Sequence, residues 1–176
     1  MEKLSGKTAL VTGSTDGVGR LVARKLGQAG ARIVNVSSAG QQPIDFGDVM
    51  LTRGYSGARA YCRSKLAQIM FTIDLAASLK GTDVTVTCLH PATYMDTSMV
   101  RRAGVRPLST VEEGARAILN LATSPAVEGQ TGLYFNGLHE AKAQAQAYDL
   151  DARRQLQALS LELTGLSAQG VAAVER

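Results

Sequence analysis

A glycine-rich turn near the start of the chain constrains the fold more than any other feature of the sequence. The segment TGSTDGVG runs from Thr12 to Gly19, between an apolar segment, Lys7 to Thr12, and an amphipathic one, Val18 to Gln28. The first is typical of a buried strand, and the second has its apolar residues on one side of a helix. Glycines at this junction between strand and helix let the backbone approach a phosphate, and the helix N-terminus offers free N–H groups. The pattern predicts a pyrophosphate-binding turn; a tight turn without a ligand is the alternative.

Strand and helix patterns alternate along the rest of the chain, which predicts an α/β fold with a mostly parallel sheet and flanking helices. We expect residues 1–176 to form a single domain. The predicted strands after the first are Arg32 to Ser37, Asp83 to Leu89 and Gly132 to Asn136. The predicted helices are Ser56 to Leu79, a helix ending near Thr123 that begins with a capping box at Thr110 and Glu113, and one or two surface helices within Ala141 to Leu163. Residues 39–55 and 92–108 are predicted to be loops.

Composition and charge exclude several classes of function. The net charge of +4 is small and dispersed, so we expect no nucleic-acid partner, and no apolar run approaches a membrane span. The first residues, MEKLSGK, contain no apolar signal core. Cys62 and Cys88 lack metal or disulfide spacing and are expected to be reduced core thiols of a cytoplasmic protein. His90 and His139 are too isolated to predict a metal site.

A tyrosine and a lysine lie four residues apart in the long predicted helix, at Tyr61 and Lys65. This spacing puts both side chains on one helix face. An ammonium near a phenol favours the phenolate, so a tyrosine in this setting can donate or accept a proton near neutral pH. The serine pair Ser37 and Ser38 ends the second predicted strand and could hold a substrate oxygen. The alternative is an exposed helix pair without function.

Taken in order, TGSTDGVG, IVNVSS, YCRSK and the strand ending in HPA resemble the short-chain dehydrogenase/reductase family. The segments AYCRSKLAQIMFTIDLA, LHPATYMDTSMV and TGLYFNG are most similar to its retinol dehydrogenase-like branch. The resemblance implies a Rossmann-like sheet, NAD(P)(H) as cofactor and an alcohol, aldehyde or ketone as substrate. It also implies a homo-oligomer formed through the long helix, whose residues Leu66, Ile69, Met70 and Ile73 could belong to the core or to an interface.

The resemblance also implies individual roles. Tyr61 would be the acid/base, Lys65 its helper, and Ser38, in preference to Ser37, would orient the substrate. Ala92 stands where the family usually has glycine. The residues implied to bind the cofactor are Thr12, Gly13, Ser14, Thr15, Asp16, Gly17, Val18, Gly19, Tyr61, Lys65, Pro91, Ala92 and Thr93. The loop residues Tyr94, Met95, Met99 and Val100 could contact substrate or simply pack the loop.

The chain lacks a stretch that family members have between the glycine-rich turn and the strand that ends in the serine pair. GQAGA passes directly into ARIVNVSS, without the family's second to fourth strands, its Asn-Asn-Ala-Gly motif or its helix asparagine. No acid follows the turn at the distance that would bind the adenine ribose, so the sequence does not distinguish NAD from NADP. If all strands are added in one direction, right-handed crossovers would leave one sheet face bare. We therefore expect a reduced strand number and weak or no binding of the full dinucleotide by an isolated monomer.

Three interpretations follow from these observations. The first is an oxidoreductase that transfers a hydride between NAD(P)(H) and an alcohol or carbonyl carbon. The second is a truncated pseudoenzyme or interaction module of the same family. The third is an incomplete or engineered form of a longer enzyme.

Overall fold

The computed structural model describes residues 8–9 and 32–166 of the chain. The predicted glycine turn, Thr12 to Gly19, and the predicted first helix, Val18 to Gln28, lie outside the described residues. The described residues therefore comprise a two-residue strand near the start, the strand that leads to Ser37 and Ser38, and the chain from there to residue 166.

In the part of the chain that the structure describes, five strands form one sheet and lie side by side in chain order. They are β1 (Thr8–Ala9), β2 (Arg32–Val36), β3 (Thr85–His90), β4 (Tyr134–Asn136) and β5 (His139–Ala141). The first four are parallel, and β5 pairs antiparallel with β4. The predicted α/β fold with a mostly parallel sheet is confirmed. The fifth strand was not predicted; it follows a turn at Gly137, whose φ of 59° favours glycine.

Within residues 32–166, four α-helices accompany the sheet: α1 (Gly57–Ser78), α2 (Ser98–Arg102), α3 (Val111–Thr123) and α4 (Leu150–Thr164). The predicted capping box is present, because Thr110 accepts a hydrogen bond from the Glu113 amide and Glu113 accepts one from the Thr110 amide. Helix α2 lies in a segment predicted to be a loop, and a 3-10 turn, Ala145–Tyr148, precedes α4. Among the described helices, none has both the length and the apolarity needed to cross a bilayer.

Both faces of the sheet are covered by helices. On one face, α1 packs Leu66, Ile69 and Met70, all fully buried, against Cys88 and Tyr134. The three α1 residues therefore belong to the core. On the opposite face, α3 packs in a second apolar cluster formed by Val34, Leu89, Ala117, Leu121, Ala122, Val127 and Phe135.

The expectation of a bare sheet face is wrong for the described part of the chain. All described parallel strands are added in one direction, yet α1 and α3 lie on opposite faces. The long connection from β3 to β4, residues 91–133, makes this possible because it carries α3 back over β2 and β1. The crossovers through α1 and α3 therefore have opposite hands, which departs from the usual preference for right-handed connections.

The loop between β2 and α1 is organised around one carboxylate, that of Asp48. It accepts hydrogen bonds from the Thr52 hydroxyl and amide, both at 2.8 Å, and from the Arg53 amide at 3.0 Å. These bonds, led by the one from the Thr52 hydroxyl, lower the pKa of Asp48 to about 2. The charged form of Asp48 thus stabilises this turn immediately before the helix that carries Tyr61.

Removing that charge should loosen the turn. Because the pKa of Asp48 is depressed from 3.8 to about 2, its contribution is complete above pH 3.8 and is lost as the pH falls towards 2. We expect Asp48→Asn to reduce amide hydrogen-exchange protection at Thr52 and Arg53 at pH 7, and the difference from the unmodified chain to vanish near pH 2. The exposed Asp83→Asn is the control. Equal protection at pH 7 in both variants would show that the Asp48 charge does not order the turn.

Candidate active site

The predicted catalytic residues lie at the carboxyl edge of the parallel strands. Ser37 and Ser38 directly follow β2, and Pro91 directly follows β3. The Ser37 amide donates to the Leu89 carbonyl at 2.8 Å, which keeps the two strand ends side by side. In open α/β sheets this edge is where ligands bind.

Tyr61 and Lys65 meet on the first turns of α1, as their spacing predicts. The Lys65 Nζ atom lies 5.6 Å from the centroid of the Tyr61 ring. The Tyr61 side chain is 44% exposed, so its hydroxyl can reach a substrate. Burial lowers the pKa of Lys65. The pair therefore combines an accessible phenol with a partly desolvated cation, whose field is less screened than in water.

The end of β2 and one helix residue fix the position of Lys65. Its Nζ donates to the Gln68 Oε1 at 2.9 Å and to the Val36 carbonyl at 3.3 Å. The Ser37 hydroxyl donates to the Lys65 carbonyl at 2.8 Å. Both ammonium acceptors are neutral oxygens, so they orient the ammonium without cancelling its charge. Sequence reasoning missed Gln68, although its position three residues after Lys65 on the same helix face was a usable signal.

Ser38 and Tyr61 both lie next to Gly40. A Cβ atom built on Gly40 would lie 3.5 Å from the Ser38 Oγ and 3.6 Å from the Tyr61 Cε1. The Ser38 Oγ also accepts a hydrogen bond from the Gly40 amide at 3.1 Å. The Ser37 hydroxyl is occupied by its hydrogen bond to the Lys65 carbonyl in α1. Ser38 is therefore the serine whose hydroxyl lies beside Gly40 and Tyr61. The structure thus brings Ser38, Tyr61 and Lys65 together; their catalytic roles remain predictions.

The backbone of Ser38 is held by two side chains that sequence reasoning missed. The Tyr134 hydroxyl donates to the Ser38 carbonyl at 3.2 Å, and the Gln41 Nε2 donates to the same oxygen at 2.9 Å. Burial, the largest cause, raises the pKa of Tyr134 to about 12, so this phenol remains a hydrogen-bond donor at neutral pH. Tyr134 is 96 residues from Ser38, so no local pattern could have revealed the contact.

The segment after β3, implied to border the nicotinamide, is also fixed. Pro91 is buried and Ala92 half-buried. The His90 Nε2 is 3.0 Å from the Thr93 hydroxyl, and the Ser109 hydroxyl donates to the Thr93 carbonyl. Burial lowers the pKa of His90, which favours a neutral imidazole. Thr93 is thereby held at the same sheet edge as Ser38.

The sequence left open whether Tyr94, Met95, Met99 and Val100 contact substrate or pack the loop. The structure divides these four residues into two pairs. Val100 is buried, and the Met95 sulfur lies so close to Gly114 that a side chain there would displace it. These two residues pack the loop. Tyr94 and Met99 are 52% and 69% exposed and are available for contacts with a ligand.

Two further predictions concern cofactor and metal. The predicted pyrophosphate residues, Thr12 to Gly19, lie outside the described residues. Within residues 32–166 and the short β1, no cluster of His, Cys, Asp or Glu side chains has an arrangement that could hold a metal ion.

Comparisons with known proteins place the chain in a family. The chain is 38% identical to human retinol dehydrogenase 14 over 153 residues, which is 78% of this chain and 45% of that protein. It is 35% identical to human retinol dehydrogenase 11 over 149 residues, again 78% of this chain and 46% of the relative. The chain belongs to the short-chain dehydrogenase/reductase family. The similarity to retinol dehydrogenases confirms the predicted family and its retinol dehydrogenase-like branch. The chain spans about half the length of these relatives.

A solved structure supports the fold alone. A protein of uncharacterised function from Mycobacterium paratuberculosis matches with a TM-score of 0.63 and 18% sequence identity. The match covers 95% of this chain and 96% of that one. No model of a protein family matches the chain.

Proposed function

We propose that the protein is an oxidoreductase that transfers a hydride between NAD(P)(H) and the carbinol or carbonyl carbon of a small molecule. The observation that carries this proposal is that the Ser38 hydroxyl and the Tyr61 ring both lie beside Gly40, with Lys65 held next to the Tyr61 ring. The family relationship supports the same reaction class.

The chain's own residues supply the proton chemistry. In the direction of reduction, the Tyr61 hydroxyl gives its proton to the carbonyl oxygen as the carbon receives the hydride; oxidation is the reverse. The Ser38 Oγ already accepts from the Gly40 amide, so its hydrogen can be donated to the substrate oxygen. The Lys65 ammonium, 5.6 Å from the centroid of the Tyr61 ring, is the cation that would assist this proton transfer. A bound NAD(P)H would supply the hydride.

Cofactor binding would use residues at the same edge of the sheet. The Lys65 ammonium, oriented by neutral acceptors, is a suitable donor for ribose hydroxyls, and the fixed segment Pro91 to Thr93 would border the nicotinamide. The turn from Thr12 to Gly19 would hold the pyrophosphate. NAD and NADP are both candidates, because no acid stands at the ribose-binding distance from the turn.

Substrate, location and assembly belong to the same proposal. The exposed Tyr94 and Met99 favour an apolar alcohol, aldehyde or ketone, and retinol is the first probe because the curated relatives are named for it.

We place the protein in the cytoplasm because both of its cysteines are free thiols. A homo-oligomer formed through α1 would have to use residues other than Leu66, Ile69 and Met70, which are buried in the core.

A thermal unfolding experiment with NADH and NADPH tests the proposal. A ligand that binds only the native state at about 100 times its dissociation constant stabilises it by about 2.7 kcal/mol. For a chain of this size, we expect a rise of roughly 5–10 °C in the unfolding midpoint. A rise with one cofactor, followed by retinol turnover with that cofactor, supports the proposal. A cooperative transition that neither cofactor shifts, and no turnover, would refute it.

One observation favours a second candidate, an interaction module or pseudoenzyme of the family. The chain covers only 45% of retinol dehydrogenase 14, which is less than half of a protein in this family. A folded chain that shows no cofactor-dependent shift, and that forms a complex with a longer family member in native mass measurements, would favour this candidate over the enzyme.

A further inference from the structure

Two glutamine side chains join the loop after β2 to the C-terminal part of the chain. The Gln146 carboxamide binds both backbone groups of Ile44: its Oε1 accepts from the Ile44 amide at 2.6 Å, and its Nε2 donates to the Ile44 carbonyl at 3.0 Å. The Gln41 carboxamide joins the same two segments from the loop side: its Oε1 accepts a hydrogen bond from the Gln144 amide at 2.7 Å. These bonds connect residues 102 and 103 positions apart. We call Gln41 and Gln146 the carboxamide clamp.

The clamp fixes a segment that has no regular structure of its own. Residues 37–45 belong to neither a helix nor a strand, so their backbone groups must find partners elsewhere. Ile44 is buried in the α1 core cluster beside Ala147, which belongs to the 3-10 turn that follows Gln144. Apolar packing and the two carboxamides therefore hold the loop to the same short C-terminal segment.

The clamp extends directly to the site. The Gln41 Nε2 donates to the Ser38 carbonyl at 2.9 Å, so the amide group that binds Gln144 also holds the backbone of Ser38. Two residues further on, Gly40 donates to the Ser38 Oγ and approaches Tyr61. A shift of the loop at Gln41 would move the Ser38 hydroxyl relative to the phenol. Displacements of about 1 Å in such an arrangement can cost roughly a hundredfold in rate.

We propose that Gln41 and Gln146 are positioning residues, which hold the turn from Ser38 to Gly40 against Tyr61 and so set where the Ser38 hydroxyl meets a substrate oxygen. The catalytic half of this inference rests on the proposed function; the structural half does not. The C-terminal segment 144–148 then becomes part of the active site's support, although it contributes no group to the reaction.

Cys62 reports the position of the turn independently of activity. Its Sγ would lie 3.4 Å from a Cβ atom built on Gly40, so the turn packs against one side of this half-buried thiol. The other cysteine, Cys88, is buried, and burial raises the pKa of its thiol to about 12. Because the thiolate is the reactive form, iodoacetamide should label Cys62 and spare Cys88 in the folded protein.

The experiment compares the full chain with Gln146→Leu, which removes both bonds to Ile44, and with Gln41→Glu and Gln146→Glu. Each glutamate variant keeps the shape of the side chain and one acceptor oxygen, replaces the N–H donor with a second carboxylate oxygen and, when ionised, adds a negative charge. Gln157→Leu, on the exposed side of α4, is the matched control. Cys62 labelling rate, kcat and KM for retinol oxidation, and the unfolding midpoint are measured for each variant.

We expect Gln146→Leu to accelerate Cys62 labelling by roughly tenfold and to lower kcat by a similar factor, with KM for the cofactor unchanged. The two glutamate variants, in which a carboxylate oxygen faces the Ile44 or the Ser38 carbonyl in place of an N–H donor, should show changes in the same direction, and Gln157→Leu should show none. Unchanged labelling in all three clamp variants would overturn the proposal. Faster labelling with unchanged kcat would overturn the positioning role. If the unmodified chain has no turnover, the proposed function fails, and the labelling rates alone decide whether the clamp holds the turn.

Discussion

Replacing Tyr61 with phenylalanine should lower cofactor-dependent turnover by about 10²–10⁴-fold, the range expected when a general acid is removed. The substitution deletes one hydroxyl and keeps the ring. Because the side chain is 44% exposed and lies outside the apolar clusters, the unfolding midpoint should change little. The measurement is kcat for retinol oxidation at saturating NAD⁺ or NADP⁺, with the unfolding midpoint of each protein recorded alongside.

Tyr55→Phe is the control for this substitution. Tyr55 is 73% exposed and precedes the same helix, so its loss of a hydroxyl should leave both turnover and stability unchanged. If Tyr61→Phe retained full activity in a protein that turns over retinol, proton transfer would have to come from another group, and the assignment of the site to Tyr61 would be wrong. Lost activity together with a large fall in the midpoint would point to a structural effect instead.

The proximity of predicted site residues that share a local spacing could be predicted from the sequence, because a helix fixes the geometry of neighbours three or four residues apart. Tyr61 and Lys65 lie on one face of α1, as their spacing requires. The capping box of α3 is equally local. The choice between Ser37 and Ser38 rested on resemblance. The structure adds the physical reason, since the Ser37 hydroxyl is occupied by the Lys65 carbonyl.

Features that depend on distant contacts could not be predicted in this way. The bonds from Gln41 and Gln146 span about a hundred residues and leave no periodic pattern in the sequence. The strand β5 has three residues, His139 to Ala141, two of them polar and exposed, so it gives no strand signal. The expected bare sheet face was wrong for a similar reason: the path of a 43-residue connection, residues 91–133, is decided by packing and not by its local sequence.

Shortening Leu66 to alanine should cost about 2–5 kcal/mol of the free energy of unfolding, as is typical for leucines in well-packed cores. Leu66 is fully buried where α1 meets the sheet, in the cluster that contains Cys88 and Tyr134. Single domains are stable by only about 5–15 kcal/mol, so this loss would be a large fraction of the total. The measurement is urea-induced unfolding followed by circular dichroism, with the midpoint and slope fitted together.

Leu119→Ala supplies the comparison, because Leu119 is 59% exposed on α3 and its truncation should change the free energy of unfolding by less than about 0.5 kcal/mol. If Leu66→Ala cost no more than Leu119→Ala, α1 would not be anchored through this cluster. That result would also remove the basis for the site, because α1 carries both Tyr61 and Lys65 and its packing on β2 and β3 places them beside Ser38. A large loss confined to Leu66→Ala would show that this core cluster supports the helix that carries Tyr61 and Lys65.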